Sequence, residues 1–145
     1  MSDTIKFQCN VKTSNSEIPL GFEVLLDDKC VYKNDHIKDT CQVMFDIDEN
    51  EATHKLKFVM TGKTADHTKV DDQGNITADA VLEICEIQID DILLDQLLTD
   101  KLEYIHDFNG SQSTVKDKFY GVMGCNGTAE FEFTTPFYLW LLENM

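Results

Sequence analysis

The stretch that decides the fold is His54–Asp91, HKLKFVMTGKTADHTKVDDQGNITADAVLEICEIQIDD. Its first run sets Leu56, Phe58 and Met60 against Lys55, Lys57 and Val59. Its last run sets Val81, Glu83, Cys85, Ile87 and Ile89 against Leu82, Ile84, Glu86 and Gln88. Period-two patterning rich in β-branched and aromatic residues is the signal of a strand. Between the runs lies a long acidic loop with Asp66, His67, Asp71, Asp72, Asn75 and Asp79. A loop of that length on a small β domain is characteristically functional or mobile.

Working outward, the same period recurs. Ile5, Phe7 and Cys9 alternate with Lys6 and Gln8, and the apolar run Leu20–Leu26 follows. Asp27-Asp28 reads as a tight turn answered by Lys29–Tyr32, a hairpin. Thr40–Ile47 alternates Cys41, Val43 and Phe45 against Gln42, Met44 and Asp46. Residues 92–105 fit a helix or a strand followed by irregular chain, since short apolar runs are ambiguous. Downstream, KFYGVMG and TAEFEFT flank Asn126-Gly127, and an Asn-Gly pair predicts a hairpin turn. The tail TTPFYLWLLENM has a helix start, with Thr135 as cap and Pro136 in the first turn. That helix is apolar almost all round and must be covered by its own domain or by a neighbour. Phe137, Tyr138, Trp140 and Leu141 are the expected interface residues. The pattern predicts an all-β fold: one antiparallel β-sandwich or jelly-roll domain over residues 1–145 with a short C-terminal helix.

A net charge of −15 argues against nucleic acid or an anionic membrane surface as partner, because both demand positive patches. The balance suits divalent cations, neutral sugars or a basic protein. Five cysteines are scattered without a CxxC or CxxH pair, so reduced core thiols are expected rather than zinc or disulfides. The N-terminus lacks a signal-peptide pattern and no run reaches membrane-spanning length, so folding in a cytoplasm is expected.

The acidic loop is the best candidate for a metal. Calcium takes six to eight hard oxygen ligands, and Asp66, Asp71, Asp72, Asn75 and Asp79 are the candidate donors. Asp90, Asp91, Asp107 and Asn109 lie in neighbouring loops. An EF-hand register fails, because Gly74 at the sixth place puts Lys69 at the first and Ala80 at the twelfth. The competing reading is a solvated loop. For sugars, Tyr104 and Phe108 bracket a segment with His106 and Asn109, which combines flat rings with groups that bond hydroxyls. No HExxH or GxSxG motif supports catalysis, and the histidines read as exposed loop or strand-end residues. With 27 acidic residues, no carboxylate pair is singled out for glycoside hydrolysis.

Two resemblances follow from these segments. GFEVLLDDKCVY (21–32) and DTCQVMFDIDENEATHKLKFVMTGK (39–63), followed by an acidic loop, resemble the jelly-roll carbohydrate-binding modules of the calcium-dependent kind. HKLKFVMTGKTADHTKVDDQGNITADA (54–80) and FYGVMGCNGTAEFEFTTPFYLWLLENM (119–145) are similar to small proteins carried by T4-like phages of marine bacteria, cyanophages included. The second resemblance implies a virion or tail-associated sandwich without catalysis. It would be made in the host cytoplasm and partnered by other virion proteins or by itself. The first implies glycan recognition, with calcium as candidate cofactor. Neither transfers a residue-level motif.

Overall fold

The computed structural model describes residues 4–15, 17–49, 51–62, 69–74, 76–78, 80–94, 97, 101–106, 115–119, 121–123 and 126–144. It is a sandwich of two antiparallel sheets with one short helix at the C-terminal end. The first sheet runs β12 (Val122–Met123), β8 (Leu82–Ile89), β1 (Thr4–Thr13) and β4 (Thr40–Asp48), with β9 (Ile92–Leu93) also on β8. The second runs β11 (Val115–Lys118), β10 (Glu103–His106), β13 (Gly127–Thr134), β5 (Thr53–Thr61), β2 (Gly21–Leu26) and β3 (Lys29–Asn34). A small pair, β6 (Lys69–Val70) and β7 (Ile76–Ala78), stands apart.

Alternation builds the interior. β1 turns Ile5, Phe7, Cys9 and Val11 inward, and β5 turns His54, Leu56, Phe58 and Met60 inward. The sheets meet through aromatic rings, with Phe7 of the first 6.0 Å from Phe58 of the second, and Phe58 lies 5.9 Å from Phe22 within its own sheet. All three are essentially fully buried, and each such side chain contributes roughly 1.5–3 kcal/mol.

β8 explains its own mixed pattern. Leu82 and Ile84 face the core, then Ile87 and Ile89 do, so the parity changes partway along the strand. Between Asn10↔Cys85 and Gln8↔Gln88 the register shifts, and Glu86 takes a positive φ of 53°. This is a β-bulge: one extra residue inserted on β8, which swaps the faces beyond it.

Two hairpins close on aspartate pairs. Asp27-Asp28 joins β2 to β3 with φ of 53° and 67°, and Asp90-Asp91 joins β8 to β9 with 54° and 64°. Positive φ at both central residues is the primed turn that matches strand twist, and Asp tolerates it better than most residues.

One expected hairpin is corrected. β12 pairs with β8 in the first sheet, whereas β13 pairs with β10 and β5 in the second. The Asn126-Gly127 segment is therefore a crossover between sheets. Gly127 lies inside β13, where a Cβ would stand 2.3 Å from the Ile105 carbonyl oxygen. The glycine answers a close backbone approach there, not a turn.

Candidate functional site

Over residues 69–74 and 76–78 the acidic segment carries a short strand pair. β6 and β7 pair, and Asp71 bonds the described turn residues that follow β6. Asp71 Oδ1 accepts the Gln73 N–H at 2.9 Å, and the Gly74 N–H donates to the Asp71 carbonyl at 3.0 Å. Asp71 and Asp72 are exposed, and Asp66, Asn75 and Asp79 lie outside the described residues. Among the described residues no group of three or more His, Cys, Asp or Glu side chains could hold a metal ion. Calcium takes six to eight oxygens, so the described donors do not fit it by themselves. Asp90 and Asp91 form the β8–β9 turn with their backbone, and their side chains are exposed.

The expected sugar-facing loop is, over its described part, a strand. Tyr104 and His106 lie on β10, 6% and 7% exposed, because alternate residues of that strand face the core. Their rings stack on each other at 4.7 Å, and Phe119 lies 6.3 Å from Tyr104. Buried rings cannot present a face to a pyranose, so the two are corrected from surface to interior positions. Phe108 and Asn109 lie outside the described residues.

The C-terminal helix α1 (Phe137–Asn144) divides its apolar residues between two faces. Phe137 and Trp140 are buried and Leu141 half-buried against the core, at the i, i+3, i+4 spacing of one helix stripe. Trp140 lies 6.1 Å from Phe131 and 6.3 Å from Phe133. Tyr138, Leu139 and Leu142 point outward, 59%, 47% and 69% exposed. Of the four expected interface residues, only Tyr138 is therefore strongly exposed. Leu139 and Leu142 share this outer face with Tyr138, and no local pattern marks them because the whole run is apolar.

The helix start also differs from the simple cap. The Phe137 N–H donates to Glu49 Oε1 at 3.1 Å, and the Pro136 carbonyl accepts the first helical bonds, from Leu139 and Trp140. The Thr135 side chain turns to Ala52 instead, bonding its N–H and carbonyl at 3.3 Å. A carboxylate at a helix N-terminus is favourable, and here one arrives from the β4–β5 connection.

His54 was expected at the surface and is buried. Its Nδ1 lies 2.6 Å from Asp27 Oδ2, and its ring lies 5.5 Å from Phe133. Asp27 Oδ1 accepts the Lys55 N–H at 2.8 Å. Partial burial pushes the Asp27 carboxyl up, but the bonds from His54 and the Lys55 N–H, with the imidazole charge, outweigh it. The carboxyl is left below its ordinary value of 3.8. The His54 Nε2 is sealed from solvent with no hydrogen-bond partner among the described residues. An imidazole walled in this way cannot reach a substrate. The pair ties the β2–β3 turn to β5.

No protein-family model matches the sequence. A search of curated proteins finds no match. Solved structures do resemble the chain. One is vCBM60, from work describing a circular permutation that links two families of calcium-dependent carbohydrate binding modules. It aligns at a TM-score of 0.53 with 8% identity, over 88% of this chain and 89% of that one. The same module in complex with galactobiose aligns at a TM-score of 0.49 with 8% identity, over 87% and 96% of the two chains. At that identity the likeness is one of fold: this chain has a carbohydrate-binding-module-like β-sandwich.

Proposed function

We propose that this chain is a non-catalytic structural or decoration protein of a phage particle, made in the host cytoplasm and seated on a neighbouring virion protein through the outer face of α1. The phage setting rests on the resemblance of segments 54–80 and 119–145, and the seat on a neighbour rests on the set Tyr138, Leu139 and Leu142, exposed together on a chain of net charge −15. Apolar side chains gathered on one helix face favour a protein contact. The surrounding acidity favours a neutral or basic neighbour over a second copy, since two copies would bring like charges together. The absence of catalysis rests on the sequence, which lacks catalytic motifs, and on the placement of His54 and Asp71 in structural bonds. Mass spectrometry of gradient-purified particles from the encoding phage tests the location. A Leu139→Ser/Leu142→Ser variant that keeps its melting temperature should be lost from those particles. Unchanged incorporation would sink the reading.

The fold likeness to vCBM60 favours a second reading, a soluble module that recognises a neutral glycan on the host surface, with calcium as candidate cofactor. A glycan array run with calcium and with chelator tests it. Absence of binding in both buffers removes it.

A further inference from the structure

The middle of the outer face of the first sheet is mostly uncharged, Glu86 being its one carboxylate. Strand registers arrange its side chains in rows. One row runs Met44, Gln8, Gln88 and Leu93 across β4, β1, β8 and β9. The next runs Gln42, Asn10 and Cys85, with Glu86 of the bulge beside them. Gln8 Nε2 donates to Gln88 Oε1 at 2.8 Å, and Asn10 Nδ2 donates to Glu86 Oε2. Apart from Glu86, charge sits beyond these rows, where Lys6 opposes Asp46 on one side and Lys12 opposes Glu83 on the other.

We propose that these two rows form a platform for a neutral oligosaccharide. This rests on the glycan reading above and gives it a location away from the acidic loop. A sugar hydroxyl both donates and accepts, and it is matched by amides, which do the same. The Gln8–Gln88 bond holds two amides in place and leaves the Gln8 oxygen and the Gln88 nitrogen to offer to a ligand. Met44 and Leu93, 46% and 61% exposed, flank the amides with apolar surface suited to the C–H faces of a sugar ring. Three interstrand steps make the row about 14 Å long, the reach of a short oligosaccharide.

The bulge is what supplies the carboxylate. Continued alternation from Ile84 would turn residue 86 into the core. The positive φ of Glu86 instead sets its side chain outside against Asn10, and a carboxylate is a strong acceptor for hydroxyls. Charge selects the class of ligand. An anionic glycan would meet a strongly acidic protein, whereas a neutral one crosses that field without cost.

The test begins with an array of neutral cello-, xylo-, manno- and galacto-oligosaccharides, followed by NMR titration of full-length protein with the best binder. The side-chain amide signals of Gln8, Gln88 and Asn10 should shift. Asn10→Ala and Gln88→Ala should each weaken binding roughly fivefold, the loss of about one hydrogen bond. Asp71→Ala/Asp72→Ala should leave binding unchanged. All four positions face solvent, and the backbone spectrum of each variant reports its fold. Binding that survives the amide variants and shifts signals elsewhere overturns the platform and leaves the glycan reading standing. A blank array overturns both.

Discussion

Replacing Trp140 with alanine should separate the two faces of α1. The side chain is 7% exposed and lies 5.6, 6.1 and 6.3 Å from the rings of Phe137, Phe131 and Phe133. An aromatic ring of this kind buries roughly 200 Å², about 5 kcal/mol at 25 cal/mol per Å². A terminal helix relaxes into part of the gap, so a loss of about 3–4 kcal/mol is expected, within the usual span for such truncations. For 145 residues, about 3 °C of melting temperature goes with each kcal/mol, giving a fall of about 10 °C. Leu142→Ser is the control, since that side chain is 69% exposed and the change should move stability by under about 0.5 kcal/mol. Differential scanning calorimetry with far-ultraviolet dichroism reads both variants. A Trp140→Ala melting temperature within about 3 °C of the parent would refute the packing of α1 on β13.

Three further outcomes are expected. Gly127→Ala should destabilise by about 2 kcal/mol or more, because the new Cβ would stand 2.3 Å from the Ile105 carbonyl oxygen; chemical denaturation with an unchanged midpoint would contradict that approach. The Asp27 carboxyl lies below its ordinary value in the folded state, so its stabilisation is complete above about pH 4 and is lost as pH falls through the lowered folded value. Asp27→Asn should therefore cost about 1 kcal/mol at neutral pH and flatten the acid limb of the stability curve, and two parallel curves would count against the His54 pairing. In thiol labelling with Ellman's reagent, Cys9 should be protected until unfolding while exposed Cys30 reacts in the native state. Cys30 should react more slowly than free cysteine, since desolvation and Glu23 push its thiol up; labelling of Cys9 at the Cys30 rate would contradict the burial.

Much of the architecture was legible because side-chain alternation is a local property of extended backbone. β1, β4 and β5 follow the pattern almost residue for residue, and Asp27-Asp28 marked its hairpin. The helix was legible as a helix, although its cap was not. Glu49 reaches Phe137 from 88 positions away, and no local pattern encodes that meeting. The site candidates fared worse for the same reason. Tyr104 and His106 have the composition of a sugar-binding loop, and only the pairing of β10 with β11 and β13 puts them inside.

By itself, then, the order of residues determined an all-β chain of two-sided strands, the aspartate turn at Asp27-Asp28 and an apolar C-terminal helix. The folded molecule decided which strands share a sheet, sending Gly127 across the sandwich instead of around a hairpin. It also joined His54 to Asp27 and set Gln8 beside Gln88. The division has one physical cause. Which face a side chain takes follows from its immediate neighbours, whereas which side chains meet follows from burying two whole sheets against each other, and a single extra residue at Glu86 is enough to change the answer.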